Sequence, residues 1–313
     1  MDNQSYSKIV CGYETSVIKV GEEKILFLTI PYRGCTQTIK CLFCGVQECP
    51  NKTLIIDKKF GDEVFSQVKK YINAYSPDSI VLYNGGNILR PQEMFQETIL
   101  EDIPKFIGGH PAIRVYELEV RADDVLRFRE GLEKIQSNLA GKKLRLRLGI
   151  EFFDDELLRR HLKGLNTEQI KKAVNFLNQS GIEWNGYVLL GGIDMTRQEA
   201  REAAVKAGKF MIDNYAYKIS INGIFVTQGL KPLMNRMYVP DYHDLIFVLD
   251  NLLEHKKIKN SHTLFKVGFE EEETKGVIRH PYLKNPRDLE RISKKLEDFN
   301  STQDIKALIS VDD

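Results

Sequence analysis

The sequence predicts an α/β fold built on parallel strands, and three observations support this prediction. Short apolar runs alternate with segments whose apolar residues recur at helical spacing. The first run, KILFLTI at 24–30, is apolar throughout, as expected of a parallel strand that is buried on both faces. No Gly/Ser-rich linker interrupts the alternation. Strict alternation of strands and helices requires parallel strands with right-handed crossover connections.

Six strand–helix units follow one another between residues 21 and 258. The predicted strands are the short apolar runs, at 24–30, 79–83, 112–118, 144–150, 186–190 and 218–226. The predicted helices are the segments with helical periodicity, near 64–75, after Pro91, near 123–138, at 154–163 and 167–179, near 200–211 and around 241–255. Six units can close partly as a barrel or lie open as a doubly wound sheet. In either arrangement, active-site groups belong at the carboxyl ends of the strands.

Two terminal segments lie outside this alternation. Residues 1–20 precede the first buried run and are predicted to form an N-terminal lead-in. Near the other end, HTLFKVGF (262–269) is typical of one more strand, and apolar residues recur at helical spacing from Leu289 to Phe299. We therefore expect residues 259–313 to form a C-terminal extension that packs on the core.

Charge and composition exclude several simple functional classes. The chain has 45 basic and 44 acidic residues, so no overall basic field indicates a nucleic-acid-binding protein. The basic cluster KKLRLR (142–147) is interpreted as solvated surface, with contact to RNA phosphates as the alternative. No run approaches the roughly 18–20 apolar residues of a membrane span, and no N-terminal stretch resembles a signal peptide. We expect a cytoplasmic protein with no membrane partner, in which thiols stay reduced.

Four of the five cysteines lie in one short segment, RGCTQTIKCLFCGVQEC, directly after the first predicted strand. Cys35, Cys41 and Cys44 are spaced C-x5-C-x2-C, and Cys49 follows five residues later. Four thiolates could close a structural zinc site, whereas three could hold three irons of a [4Fe–4S] cluster and leave the fourth iron open. A large α/β core needs no structural metal, which favours the open cluster. Cys49 is then interpreted as a bystander thiol.

A strand followed by three closely spaced cysteines, with an aromatic residue before the last, resembles the radical S-adenosylmethionine (SAM) superfamily. The first gap in its commonest motif is three residues, whereas here it is five. Longer gaps occur in a branch that includes the radical subunit of archaeosine synthase and elongator-type and methylthiotransferase-like enzymes. TIPYRGCTQTIKCLFCG most resembles the archaeosine subunit. The resemblance implies that Cys35, Cys41 and Cys44 bind a [4Fe–4S] cluster whose open iron binds SAM.

A second motif follows the second predicted strand. YNGGNILRPQEM (83–94) resembles the glycine-rich loop of this superfamily. The resemblance implies that Gly85 and Gly86 let the backbone approach the amino group of SAM. Asn87 stands where the commonest members have Glu, as in the archaeosine branch.

Two further segments extend the resemblance over roughly residues 20–230. ELEVRADDV (117–125) resembles a Glu-x-Arg segment, which implies that Glu119 accepts hydrogen bonds from the sugar of SAM and Arg121 binds its carboxylate. A salt bridge between these two residues is the alternative. LGIE (148–151) resembles a Gly-Ile-Glu motif in which Glu151 contacts the cofactor, with helix capping as the alternative. His161, beside Leu157 on a predicted helix, is expected only to pack.

The resemblance implies a lyase- or transferase-type enzyme that reductively cleaves SAM to a 5′-deoxyadenosyl radical, which removes hydrogen from a substrate. A partly open barrel can bury such a radical, so we expect a partial (β/α)6 TIM-like barrel of parallel strands. Reduction implies a flavodoxin or ferredoxin as electron donor. The archaeosine branch implies a 7-deazaguanine nucleoside in tRNA as substrate, with the tRNA delivered by a partner protein. The alternatives are a small-molecule metabolite as substrate, and a zinc-stabilised binding protein without catalysis.

Overall fold

The structure is a computed structural model. It describes residues 13–20, 23–31, 41–43, 55, 57–84, 88–89, 96–226, 229–268, 280–283 and 286–309.

Strands and helices alternate along the described residues. The strands are β1 (Glu14–Val20), β2 (Glu23–Thr29), β3 (Ser79–Tyr83), β4 (Val115–Val120), β5 (Lys143–Glu151), β6 (Glu183–Leu190), β7 (Gly192–Ile193), β8 (Lys218–Gly223), β9 (Met237–Tyr238) and β10 (Leu264–Val267). The α-helices are α1 (Lys58–Tyr75), α2 (Ile103–Gly109), α3 (Ala122–Arg127), α4 (Arg129–Asn138), α5 (Asp155–Arg160), α6 (Thr167–Gln179), α7 (Arg197–Asp213), α8 (Tyr242–Ile258), α9 (Leu289–Thr302) and α10 (Lys306–Ile309). A π-helical segment, Thr98–Asp102, leads into α2, and short 3-10 helices cover Lys231–Arg236 and Pro286–Asp288.

A local sequence signal explains where helix α1 begins. Asp57 caps α1 by accepting a hydrogen bond from the Phe60 N–H at 2.9 Å, which satisfies one of the amides left unpaired in the first turn. The apolar stripe of α1 then buries Val64, Val68 and Ile72 completely. The predicted periodicity therefore marks the face of this helix that packs against the sheet.

The chain divides into two compact units. The first comprises the described parts of 1–38, 46–148 and 172–184. In it, β2, β3, β4 and β5 pair in parallel in that order, and β1 pairs antiparallel with β2. One face of these strands carries buried aliphatic residues such as Leu26, Leu82 and Leu118.

The second unit comprises the described parts of 39–45, 149–171 and 185–313. Its strands β6, β8 and β10 pair in parallel in that order, while β7 and β9 form a separate antiparallel pair. Helices α7 and α8 pack together, and α9 packs against β10. The additional strand and the closing helix predicted for the C-terminal extension are thus present as β10 and α9.

Parallel strands joined through helices confirm the predicted α/β class, and this is the arrangement from which a partial TIM-like barrel is built. Two details of the predicted elements are wrong. The lead-in contains a strand, β1, and the helix predicted near 123–138 is two helices, because Phe128 leaves the helical conformation (φ −111°, ψ 29°). Among the described residues, no helix is long and apolar enough to cross a membrane.

Candidate functional site

The described part of the cysteine segment, residues 41–43, rests on the residues that follow α5. Cys41 is half-buried. The Leu42 N–H donates a hydrogen bond to the His161 carbonyl oxygen at 3.0 Å. The centroids of the Phe43 and His161 rings are 6.1 Å apart. The Lys163 ammonium nitrogen lies 5.5 Å from the centroid of the Phe43 ring. The backbone between the second and third predicted cluster ligands is therefore anchored.

The other predicted residues of the cysteine and glycine loops, Cys35, Cys44, Cys49, Gly85, Gly86 and Asn87, lie outside the described residues. Within the part of the chain that the structure describes, no three His, Cys, Asp or Glu side chains group into a metal site. Of the three predicted iron ligands, the structure thus locates Cys41.

Glu151 and Lys163 form a buried ion pair next to this segment. Glu151 is the last residue of β5, and its carboxylate accepts a hydrogen bond from the Lys163 ammonium at 3.0 Å. The two side chains are only 13% and 8% exposed. Because Lys163 also lies over the Phe43 ring, the pair is adjacent to the cysteine segment. A cation and an anion therefore stand together at the carboxyl end of β5.

Two local features hold this pair in place. A Cβ on Gly149 would lie 2.8 Å from Lys163 Nζ and 2.9 Å from a Glu151 carboxylate oxygen, so glycine leaves room for both side chains. Helix α5 is capped by Asp154, whose carboxylate accepts from two backbone amides of the first turn. The helix-capping alternative for Glu151 is therefore wrong, and its carboxylate points to Lys163 instead.

His161 is completely buried and bonded at both ring nitrogens. Nδ1 lies 2.9 Å from the Leu157 carbonyl oxygen, and Nε2 accepts the Ile193 N–H at 2.9 Å. This arrangement fits a neutral ring protonated at Nδ1. Burial lowers the pKa of His161, which keeps the ring neutral. Packing was expected for this residue, and the structure adds one hydrogen bond within the end of α5 and one that joins α5 to β7.

Glu119 and Arg121 lie at the carboxyl end of β4. Glu119 is half-buried and pairs in register with Arg147 of β5. Arg121 is buried, and its Nε donates to the Asp123 carboxylate at 3.0 Å. The guanidinium of Arg121 is therefore oriented by an acidic neighbour on α3.

A charged network lies on one face of β3, β4 and β5. Arg147 donates to the Glu117 carboxylate and to the Tyr83 hydroxyl, and its guanidinium lies 5.1 Å from the Phe27 ring centroid. Arg145 donates to Glu183 at 2.6 Å. Both arginine side chains are about as buried as the core. The interpretation of 142–147 as solvated surface is therefore wrong for these two residues. Strand alternation places both on the face of the sheet that carries Glu117.

No family model matches the sequence, and no curated protein matches it. Solved structures do resemble the fold. Methylornithine synthase (PylB) has a TM-score of 0.50 at 14% identity, over 88% of this chain and 81% of that one. Coproporphyrinogen III oxidase (HemN) from Escherichia coli, described as a radical SAM enzyme, has a TM-score of 0.49 at 14% identity, over 83% and 56%. The archaeal Methanocaldococcus infernus Elp3 has a TM-score of 0.47 at 16% identity, over 65% and 51%.

These likenesses concern the fold. At 14% identity, the match to PylB indicates a shared α/β architecture over most of both chains. The chain spans about half the length of the Elp3 and HemN structures.

Sequence reasoning missed two residues of this site, Lys163 and His161. Lys163 precedes Gly164 in HLKG (161–164), and its spacing of twelve from Glu151 gives no helical or strand register that would pair them. His161 depends on Ile193, thirty-two residues away. Only the folded structure reveals either partner.

Proposed function

We propose that this protein is a radical SAM enzyme with a [4Fe–4S] cluster bound by Cys35, Cys41 and Cys44. The observation that carries the proposal is the C-x5-C-x2-C spacing directly after β2, with residues 41–43 resting beside the buried Glu151–Lys163 pair. Three thiolates suit a four-iron cluster with one open iron. The α/β fold shared with PylB agrees with this proposal.

The residues beside Cys41 suit an amino-acid group. When bound, the cluster and SAM supply reductive cleavage of a carbon–sulfur bond and a 5′-deoxyadenosyl radical. The Lys163 ammonium complements a carboxylate, and the Glu151 carboxylate complements an ammonium or a hydroxyl group. Phe43 covers one side of Lys163, which limits access of water to the pair. These side chains would therefore hold the methionine part of SAM through its charged groups.

Other contacts to SAM come from the remaining strand ends. Gly85, Gly86 and Asn87 follow β3, and we assign them to the amino group of SAM. Glu119 and Arg121, at the end of β4, are assigned to its sugar hydroxyls and carboxylate. Arg121 is oriented by Asp123, which supports a fixed position for its guanidinium.

The proposed substrate is a 7-deazaguanine-type nucleoside in tRNA, after the resemblance of the cysteine segment to archaeosine synthase. A small-molecule metabolite is the second candidate, favoured by the balanced charge of the chain. Either substrate requires an electron donor such as a flavodoxin or a ferredoxin, because the cluster must be strongly reduced. We propose a cytoplasmic location, where reduced thiols are available for the metal.

Anaerobic purification tests the central proposal. The protein should be brown, contain about four irons per chain, and produce 5′-deoxyadenosine from SAM with dithionite. Ala at Cys35, Cys41 or Cys44 should remove the iron, because three thiolates are needed to hold the cluster.

Cys49→Ala is the matched control, because it removes a thiol from the same segment. We expect it to keep the iron, and iron loss in this variant would contradict the three-ligand assignment. A colourless wild-type protein with one zinc would instead support the non-catalytic binding protein and reject the enzyme proposal.

A further inference from the structure

We propose that His161 is a positioning residue that fixes the Cys41–Phe43 segment against the turn containing β7. The inference rests on the proposed function, because positioning matters if Cys41 and Cys44 bind the cluster. His161 belongs to no predicted ligand set, and its side chain acts through Phe43.

The buried ring of His161 joins four separate parts of the second unit. Its Nδ1 bonds to Leu157 in α5, and its Nε2 accepts the N–H of Ile193 in β7. Its ring centroid lies 4.6 Å from that of Phe152, which follows β5. The fourth part is the cysteine segment, whose Phe43 ring lies 6.1 Å from the His161 ring between centroids. The Leu42 N–H bonds to the backbone carbonyl of His161, a contact that a substitution of the side chain leaves in place. Few side chains other than histidine can donate, accept and stack from one buried position.

The β7 turn is shaped around this ring. A Cβ on Gly192 would overlap His161 Nε2 and would lie 2.6 Å from the Met195 sulfur. Glycine at position 192 therefore allows the backbone to approach the imidazole closely enough for the Ile193 N–H to reach Nε2. The close approach and the hydrogen bond together show that the turn and His161 fit each other.

The fixed position of the His161 ring affects the thiol of Cys41, which stands next to residues 42 and 43. The orientation of the imidazole is fixed by two hydrogen bonds, and Phe43 packs on that fixed ring. Loss of the side chain would leave the Ile193 N–H buried without an acceptor and would remove the surface on which Phe43 rests. Cys41 would then sample a wider range of positions, and the bound cluster would be lost more easily.

Four variants test this inference. His161→Leu removes both hydrogen bonds and the ring, whereas His161→Gln keeps an acceptor that can reach the Ile193 N–H. His255→Leu and His255→Gln are matched controls, since His255 bonds to Asp213 at 2.9 Å in the same unit, away from the cysteine segment. Far-UV circular dichroism and urea unfolding show whether each variant folds. Iron release to a chelator is measured on the anaerobic protein, and alkylation of Cys41 is measured by mass spectrometry on the iron-free protein.

We expect roughly tenfold faster iron release and faster Cys41 alkylation in folded His161→Leu, as the loss of a buried hydrogen bond implies. His161→Gln should recover most of the wild-type rates, and the His255 variants should match wild type. Wild-type rates in folded His161→Leu would overturn the inference. If wild type binds no iron but His161→Leu still exposes Cys41, the proposed function fails and the positioning role stands. If His161→Leu does not fold, the inference is decided by whether His161→Gln restores slow Cys41 alkylation.

Discussion

Glu151 has a backbone conformation that L-residues avoid. Its φ of +63° lies in the left-handed region, which costs a residue with a Cβ roughly 1–2 kcal/mol. The conformation turns the end of β5 so that the carboxylate meets Lys163. A strained residue beside a buried ion pair is typical of a functional site, because folding alone would favour glycine or asparagine there.

Lys163→Met should lower the free energy of unfolding by about 3 kcal/mol, because it leaves the buried Glu151 carboxylate without its cation. The double variant Glu151→Gln/Lys163→Met should recover at least half of this loss, since no uncompensated charge remains. Urea unfolding followed by circular dichroism measures both values.

Lys58→Met is the matched control for this prediction. Lys58 pairs with Asp62 at 3.1 Å, but the two side chains are 84% and 63% exposed. Exposed pairs of this kind contribute between about 0 and 1 kcal/mol. Equal stability losses in Lys58→Met and Lys163→Met would show that burial does not strengthen the Glu151–Lys163 pair.

At the residue scale, sequence motifs indicated the carboxylates of Glu119 and Glu151 at the ends of strands. They did not indicate that Glu151 pairs with Lys163. Glu151 and Glu119 were predicted because their segments resemble motifs of the radical SAM superfamily, and both stand at the carboxyl end of a strand, where site residues belong. The pairing of Glu151 with Lys163 depends on the turn at Glu151 and on Gly149 leaving space, which are properties of the folded chain. The burial of Arg145 and Arg147 was missed because consecutive basic residues usually lie on a solvated face.

At the element scale, one carboxylate joins the two helices α7 and α8. Asp244 is completely buried near the start of α8 and accepts hydrogen bonds from Arg197 Nε at 2.7 Å and Arg201 Nε at 2.6 Å, both on α7. It also accepts from the Tyr238 hydroxyl and from the Asp241 N–H. Burial alone would raise the pKa of Asp244, but these hydrogen bonds outweigh it and hold the pKa below its usual value.

Asp244→Asn should destabilise the protein by about 3 kcal/mol at pH 7, because Arg197 and Arg201 lose the buried anion to which both donate. The loss should shrink in acid. The unfolded carboxyl group binds its proton near pH 4, whereas the folded group does so only at lower pH. The stabilisation by Asp244 is therefore complete above about pH 4 and is lost as the pH falls through the lower, folded value. Urea midpoints of wild type and variant, measured from pH 7 downward, should converge.

Asp62→Asn, at the exposed pair with Lys58, is the control and should change the midpoint little at any pH. A difference between wild type and Asp244→Asn that stays constant into strong acid would contradict the predicted pKa direction.

The elements themselves were predicted where their signal is strong. Continuous apolar runs located β2 and β3, as expected of strands buried on both faces. In β5 and β8 the signal is instead an alternation of polar and apolar residues. Strand β1 was missed because ETSVIKV mixes polar and apolar residues, as an antiparallel strand can. The π-helical segment at Thr98–Asp102 rests on a wider local bond, in which the Ile103 N–H donates to the Thr98 carbonyl oxygen, and the two-residue strands β7 and β9 arise from pairing between distant segments. No sequence period of 2 or 3.6 marks them.

At the scale of the whole molecule, charge constrains how an RNA substrate could be reached. The chain carries 45 basic and 44 acidic residues, and many of these pair with each other, as Arg145 does with Glu183. Affinity for nucleic acid comes largely from phosphate contacts with a surplus of positive charge, and it falls steeply with salt. A balanced chain therefore gains little from non-specific attraction to tRNA.

The purified protein alone should not retain tRNA in filter binding at about 150 mM salt, because it lacks an excess of cations to displace counterions.

Cells that lack the protein should nevertheless lose one modified nucleoside from their tRNA, as liquid chromatography and mass spectrometry can show. Restoration by the wild-type chain but not by Cys41→Ala would link the nucleoside to the proposed cluster. Unchanged nucleosides in the deletion cells would reject a tRNA substrate and favour the small-molecule metabolite. Tight tRNA binding by the chain alone would show instead that a local basic surface, and no partner protein, recruits the RNA.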